Sequence, residues 1–190
     1  MEPKLFLFFV GRPGSGKETQ SRLLAEKLGF EIFMTGGKFR EIVASGSYLG
    51  ERMRHIYENG LLMPSWVADY LFEDFAFNLP PDKGAIFEGS GRDIQQAKVI
   101  EEVCTFLGRP YAVLNLEVSE AEVTKRSMLR SRDKTDDPKV VETRLAEYNR
   151  LTGPAIEHFR SLGKCIEIHG EEAPEKVHEE VLAEVSKLLK

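Results

Sequence analysis

The sequence predicts an α/β protein built on a five-stranded parallel sheet with helices on both faces. Three observations carry this. Short, continuously apolar runs recur along the chain, each bounded by turn residues. Stretches with helical apolar spacing lie between them, and strand–helix alternation implies parallel pairing by crossover. Residues 35–79 break the rhythm with helical segments in a row and no strand, which reads as a helical insertion.

The elements follow in order. The apolar runs Leu5–Val10, Glu31–Met34, Ala85–Phe87, Tyr111–Val118 and Cys165–Ile168 are the expected strands, most of them too apolar to face water on one side. Lys17–Leu28 carries Leu23, Leu24, Ala25 and Leu28 on one stripe and stops at Gly29. The insertion divides into helices over Gly36–Ser45, Leu49–Asn59 and Ser65–Phe77. Gln95–Leu107 stops at Gly108. Ser119–Arg132 opens with the Ser119/Glu122 spacing of a capping box. The next helix has Asp137 as its cap and Pro138 at its first position. It runs toward Leu162 with an expected kink or break at Gly153-Pro154. Ala173–Leu189 closes the chain. The polar segment Ser131–Pro138 is a short loop between two helices.

Composition bounds the function. The chain has 190 residues and a net charge of −5. That balance argues against a general binder of nucleic acid or anionic membranes. Two distant cysteines, Cys104 and Cys165, without a CxxC, suit a reducing compartment rather than a disulfide scaffold. The longest apolar run has no following cleavage pattern and is far short of a span, so a soluble cytoplasmic protein is expected. The four histidines have no metal-ligand spacing and read as structural or surface groups; Tyr57, Tyr148 and Trp66 read as packing residues.

Chemistry enters after the first strand. Gly11-Arg12-Pro13-Gly14-Ser15-Gly16-Lys17-Glu18-Thr19 stands between a strand and a helix, the context of a phosphate-binding loop. Its glycines let backbone N–H groups curl around a phosphate at a helix N-terminus, and Lys17 adds a point charge. The usual signature puts Ser or Thr directly after the Lys. Here Glu18 stands there and Thr19 follows.

With that loop, GRPGSGKETQ against a typical GxPGxGKGTQ, the sequence resembles the adenylate kinases, within the nucleoside monophosphate kinase family. The resemblance runs over nearly the whole chain. It implies a P-loop NTPase-type core over residues 1–34, 80–130 and 139–190, a helical monophosphate-binding insertion over 35–79, and a short lid over 131–138. It also implies phosphoryl transfer from ATP·Mg²⁺ to AMP, giving two ADP, by a monomer whose partners are small nucleotides, not nucleic acid or membrane. Long-lid relatives carry four zinc-binding cysteines in the lid; this lid has none, so Mg²⁺ and no zinc is expected.

Residue by residue, the resemblance places ATP at Gly14, Ser15, Gly16, Lys17, Glu18 and Thr19, with Arg126 against the ATP base and Arg130 on its phosphates. AMP falls to Thr35, Gly36 and Arg40, to the turn at Leu61, Leu62 and Met63, and to Gly89, Ser90, Gly91, Arg92 and Gln96. Arg suits phosphate because its planar fork donates two hydrogen bonds. Gln96 matches the Gln that bonds adenine, where pyrimidine-specific relatives typically carry Asn. Lys17, Arg92, Arg130, Lys134 and Arg144 are the expected catalytic cations, with Arg132 able to substitute for Lys134. The backbone of the loop at His169–Pro174 is expected to pass the ATP base.

Departures from the family pattern leave room for other readings. Gly37 replaces an Asp, Glu88 replaces the Asp that orders water around Mg²⁺, and Ser90-Gly91 replaces Phe-Pro. Glu18 could offset the carboxylate missing at Gly37, or point outward from the first helical turn. Two alternatives therefore stay open: a kinase for UMP, CMP or GMP, and a nucleotide-binding protein of the same fold with weak or no transfer.

Overall fold

The structure, a computed structural model, describes residues 4–130 and 137–189, with only the backbone of Leu129 and Arg130. The strands are β1 (Phe6–Gly11), β2 (Glu31–Met34), β3 (Ala85–Glu88), β4 (Tyr111–Glu117) and β5 (Cys165–His169), all parallel in the order β2-β3-β1-β4-β5. The helices are α1 (Lys17–Leu28), α2 (Thr35–Ala44), α3 (Tyr48–Glu58), α4 (Ser65–Asn78), α5 (Ile94–Phe106), α6 (Glu120–Arg130), α7 (Pro138–Glu147), α8 (Gly153–Ser161) and α9 (Pro174–Leu188). Of the expected lid 131–138, only Asp137 and Pro138 fall within the described residues.

Strand alternation builds a core on each face of the sheet. Phe6, Phe8 and Val10 of β1 point to one side, where they meet Phe72 and Ala76 of α4, Ala97 and Ile100 of α5, and Ile156 and Phe159 of α8. Leu7 and Phe9 point to the other, against Leu24 of α1 and Val177, Val181 and Val185 of α9. Both faces of β1 are therefore buried, which is why its sequence is continuously apolar. β2 is an edge strand and half exposed. The insertion has its own apolar cluster, with Phe39 and Val43 from α2, Met53 from α3, and Met63, Val67 and Ala68 at and within α4.

The base of the sheet is held by Arg109, a residue with no local sequence signal. It is 5% exposed. Its guanidinium donates to the carbonyls of Leu79, Pro80, Pro81 and Lys83 at 2.7–3.0 Å and to Lys4 at 3.3 Å, and stacks over Phe6. A cluster of carbonyls at strand entries is satisfied by one multidentate donor.

The interruption expected at Gly153-Pro154 is present: a π turn over Tyr148–Thr152 separates α7 from α8, and Pro154 falls in the first turn of α8. Two other expectations need correction. The Ser119 box is half formed. Ser119 Oγ accepts the Glu122 N–H at 3.4 Å, but the Glu122 carboxylate is taken by Arg126 and Lys125, and Glu171 accepts the Ser119 N–H at 2.8 Å. Trp66 is 60% exposed rather than packed, because it lies on the outer side of α4. Tyr57 and Tyr148 pack as expected, against the insertion cluster and the main core, and both also line a cleft.

Asp69 of α4 is buried beside Asp93 and accepts a bond from Gln95 at 3.4 Å. Burial, then the Asp93 charge, pushes its carboxyl up to about 6. A carboxyl raised on folding favours the native state while protonated, so this group's contribution is lost as pH rises from about 4 to 6. Asp69→Asn is expected to raise stability near pH 7 by about 1–2 kcal/mol and to leave it little changed near pH 4. Urea midpoints at the two pH values check this.

Candidate active site

The site forms at the carboxyl ends of β1 and β3, where the chain leaves in different directions across the sheet. A cleft of about 330 Å³ opens there between the phosphate loop, the insertion and α7. On the loop side it is lined by Gly14, Gly16, Lys17, Glu18 and Thr19. On the insertion side are Gly36, Phe39, Arg40, Tyr57, Leu61, Leu62 and Met63. Glu88 and Arg92 form the floor side after β3, and Arg144, Glu147, Tyr148 and Thr152 come from α7 and the π turn.

The loop is shaped as a phosphate cradle should be. Gly16 is left-handed, and no side chain caps α1. The N-terminal N–H groups of a helix are anion donors when no side chain caps them. Lys17 Nζ donates to the carbonyls of Gly11 at 2.8 Å and Arg12 at 2.7 Å, and lies 3.4 Å from Ser15 Oγ. The ammonium is thus held inside its own loop, poised where phosphate oxygens can replace carbonyls. Arg12 Nη1 donates to the Val118 carbonyl at 3.0 Å, and the guanidinium sits 5.4 Å from the centre of the Tyr148 ring. Burial raises the Tyr148 phenol above its usual range, against the lowering effect of Arg12.

The carboxylates differ in engagement. Glu18 lines the cleft and takes Arg22 at 3.1 Å along α1, so part of its charge is spent on the helix surface. Glu88 ends β3 on the cleft wall. Among the described residues no group of three His, Cys, Asp or Glu side chains could hold a metal.

Two glycines make close approaches possible. Gly89 has φ +87°, and a Cβ there would lie 2.6 Å from Arg92 Nη2. Gly60 has φ +71°, and a Cβ would meet Val140 and Arg144 of α7 at 2.7 and 2.9 Å. The turn before Leu61 therefore packs directly on the helix that carries Arg144.

Some expected residues lie behind the cleft wall. Thr35 and Ser90 are buried and share a 3.1 Å hydrogen bond. Ser15 is buried, and Gly91 has φ +77° in the segment before α5. Gln96 is buried, with both ends of its amide bonded to Arg92 and Asp93. Arg126 holds Glu122 at 2.8 Å and donates to the carbonyls of Gly170 and Glu171 at 2.9 and 3.1 Å, which fixes it against the loop after β5. The Arg130 side chain, Arg132 and Lys134 lie outside the described residues.

Sequence reasoning passed over Phe39, Tyr57, Glu147, Tyr148 and Thr152 on the wall. Thr152 Oγ1 donates to the Arg92 carbonyl at 2.8 Å, linking the π turn to that arginine. The spacing of Arg144, Tyr148 and Thr152 at four-residue steps is the signal that could have found them.

Comparison with known proteins agrees with this geometry. A family model described as adenylate kinase matches residues 9–164. The chain is 33% identical over 175 residues to an adenylate kinase of Caulobacter sp. (strain K31), covering 90% of this chain and 93% of that protein. It is 30% identical over 188 residues to one of Phocaeicola vulgatus, covering 97% and 100%. To one of Thermus thermophilus it is 32% identical over 182 residues, covering 93% and 95%. With a phosphate loop, an inserted helical wall and a match over most of its length, the chain belongs to the adenylate kinase family.

Proposed function

We propose that this phosphotransferase moves the γ-phosphoryl group of ATP·Mg²⁺ to AMP, giving two ADP. One observation carries the reading: Lys17, Arg40, Arg92 and Arg144, from four separate segments, line one cleft in a chain of net charge −5. Three carboxylates, Glu18, Glu88 and Glu147, share the wall, so the lining stays net positive, which suits an anionic ligand.

In this reading the loop and Lys17 hold the donor phosphates, and Arg40 and Arg92 hold the acceptor phosphate. Arg144 stands beside the transferring group, with Arg130 and the lid cations Lys134 or Arg132 completing the set. The acceptor oxygen attacks the γ phosphorus and the bond to the bridging oxygen breaks. The nucleophile is a phosphate oxygen, already anionic near neutral pH, so no side chain need remove a proton. Catalysis rests on positioning and charge stabilisation. Mg²⁺ arrives with ATP; it keeps several waters and phosphate oxygens, which fits a wall offering single carboxylates rather than a cage. Glu88 would hold it through water, with Glu18 a second candidate.

Residues 1–34, 80–130 and 139–190 act as the core, 35–79 as the acceptor-binding insertion and 131–138 as the lid. The separate apolar cluster within the insertion supports that division. The enzyme works as a cytoplasmic monomer with ATP, AMP and ADP as partners; two free thiols, both pushed up to about 12 by burial, suit a reducing compartment. Among the described residues, no helix is long and apolar enough to cross a membrane.

The test is turnover with ATP·Mg²⁺ against AMP, UMP, CMP and GMP. AMP is expected to give the highest kcat/KM. Binding without turnover for every acceptor would overturn the reading in favour of a nucleotide sensor.

A further inference from the structure

A closed set of hydrogen bonds sits at the start of α5. Asp93 and Gln96 are both buried. Asp93 Oδ1 accepts the Gln96 backbone N–H at 2.9 Å and so caps the helix. Its other oxygen, Oδ2, accepts Gln96 Nε2 at 3.0 Å and the Ser65 hydroxyl at 2.7 Å. Gln96 Oε1 accepts the Arg92 backbone N–H at 3.0 Å.

A primary amide has a donor end and an acceptor end of nearly equal shape, so its orientation is set only by neighbours that tell them apart. These neighbours do. Turned over, Gln96 would set Oε1 against the Asp93 carboxylate and Nε2 against the Arg92 N–H. Both contacts would be buried mismatches, and buried unsatisfied polar groups are costly. In the observed orientation, among the described residues, one N–H and one lone pair of the Gln96 amide take no protein partner, and they stand in a fixed order.

We propose that Asp93 is a specificity-determining residue: it locks the Gln96 amide in one orientation, so that the acceptor base meets a donor and an acceptor in a single order. The proposal rests on the reading in which Gln96 meets that base. Adenine presents a ring N1 that accepts and a 6-amino group that donates. Hypoxanthine presents the reverse, an N1–H that donates and a 6-oxo group that accepts. A glutamine free to turn could satisfy either base; a locked one satisfies only one. Capping the helix needs one carboxylate oxygen, and the lock is the work of the second.

The test measures kcat/KM for AMP and for IMP with the full chain, in wild type, Asp93→Asn, Asp93→Ser and Gln96→Ala. Asn caps a helix as well as Asp does. It replaces Oδ2 by a donor, so the present amide orientation gains a clash and the turned one loses its largest penalty. The AMP/IMP ratio is expected to fall about tenfold or more in Asp93→Asn, chiefly through KM. Asp93→Ser keeps a capping oxygen but leaves Nε2 unheld. It is expected to move the ratio the same way by less, and it carries the test if the Asn variant does not fold. Loss of a merely structural cap would lower both substrates together and leave the ratio unmoved. If Gln96→Ala lowers the ratio but both Asp93 variants stay within about twofold of wild type, the lock is overturned while Gln96 remains the base contact. If Gln96→Ala leaves the ratio unchanged, the reading of Gln96 fails and the lock fails with it.

Discussion

Lys17→Met is expected to lower kcat/KM for phosphoryl transfer by about 10³-fold or more, equivalent to about 4 kcal/mol of transition-state stabilisation. Lys17 is almost wholly buried at the mouth of α1, and its ammonium spends its bonds on two loop carbonyls. Methionine keeps most of the stem and its apolar packing and removes the ammonium, its charge and its bonds to the two loop carbonyls. The lost term is large because the charge is fixed in place before the reaction begins. Steady-state kinetics on the variant, with its melting temperature recorded beside them, separates this from unfolding. A variant within tenfold of wild type would remove Lys17 from the transferring phosphates.

Phe87→Ala is expected to cost about 3–5 kcal/mol of stability, a drop in Tm of about 6–20 °C for a chain of this length. Phe87 is fully buried on β3 and stands at the centre of an aromatic cluster. Its ring stacks on Phe8 with centroids 4.7 Å apart and meets Phe6, Phe72 and Phe75 at 5.0, 5.2 and 5.6 Å. Removing it opens a cavity that β1, β2 and α4 cannot close without shifting the sheet. Glu88 follows directly, so the damage reaches the site. Phe106→Ala is the control: that ring is 85% exposed, and its loss is expected to change stability by less than about 0.5 kcal/mol. Thermal melts of the two variants check the contrast.

What the sequence could show is tied to local pattern. β1, α1 and β2 are legible because apolar continuity, helical spacing and a closing Gly29 all act within a few residues. The phosphate loop is legible for the same reason, since glycines and a lysine must be adjacent to wrap a phosphate. Features made by contacts between distant segments are not. Arg109 bonds carbonyls some 26 to 105 positions away in the chain. Trp66 has the composition of a packing residue, and only the placement of α4 on the sheet leaves it outside. Tyr148 and Thr152 share a four-residue step with Arg144, but only the placement of that face against the phosphate loop and the insertion shows that it lines a cleft. The Asp93 lock reads locally as an ordinary helix cap; its second oxygen acquires meaning only beside Gln96 and Ser65.

The central claim is that the cleft brings two nucleotides together and passes a phosphoryl group between them rather than to water. The most direct measurement follows ATP, AMP, ADP and inorganic phosphate together by ³¹P NMR after adding enzyme to ATP·Mg²⁺ and AMP. The account predicts two ADP formed for each ATP and AMP consumed, with no accumulation of inorganic phosphate. Release of inorganic phosphate in step with ADP, with AMP unconsumed, would contradict it.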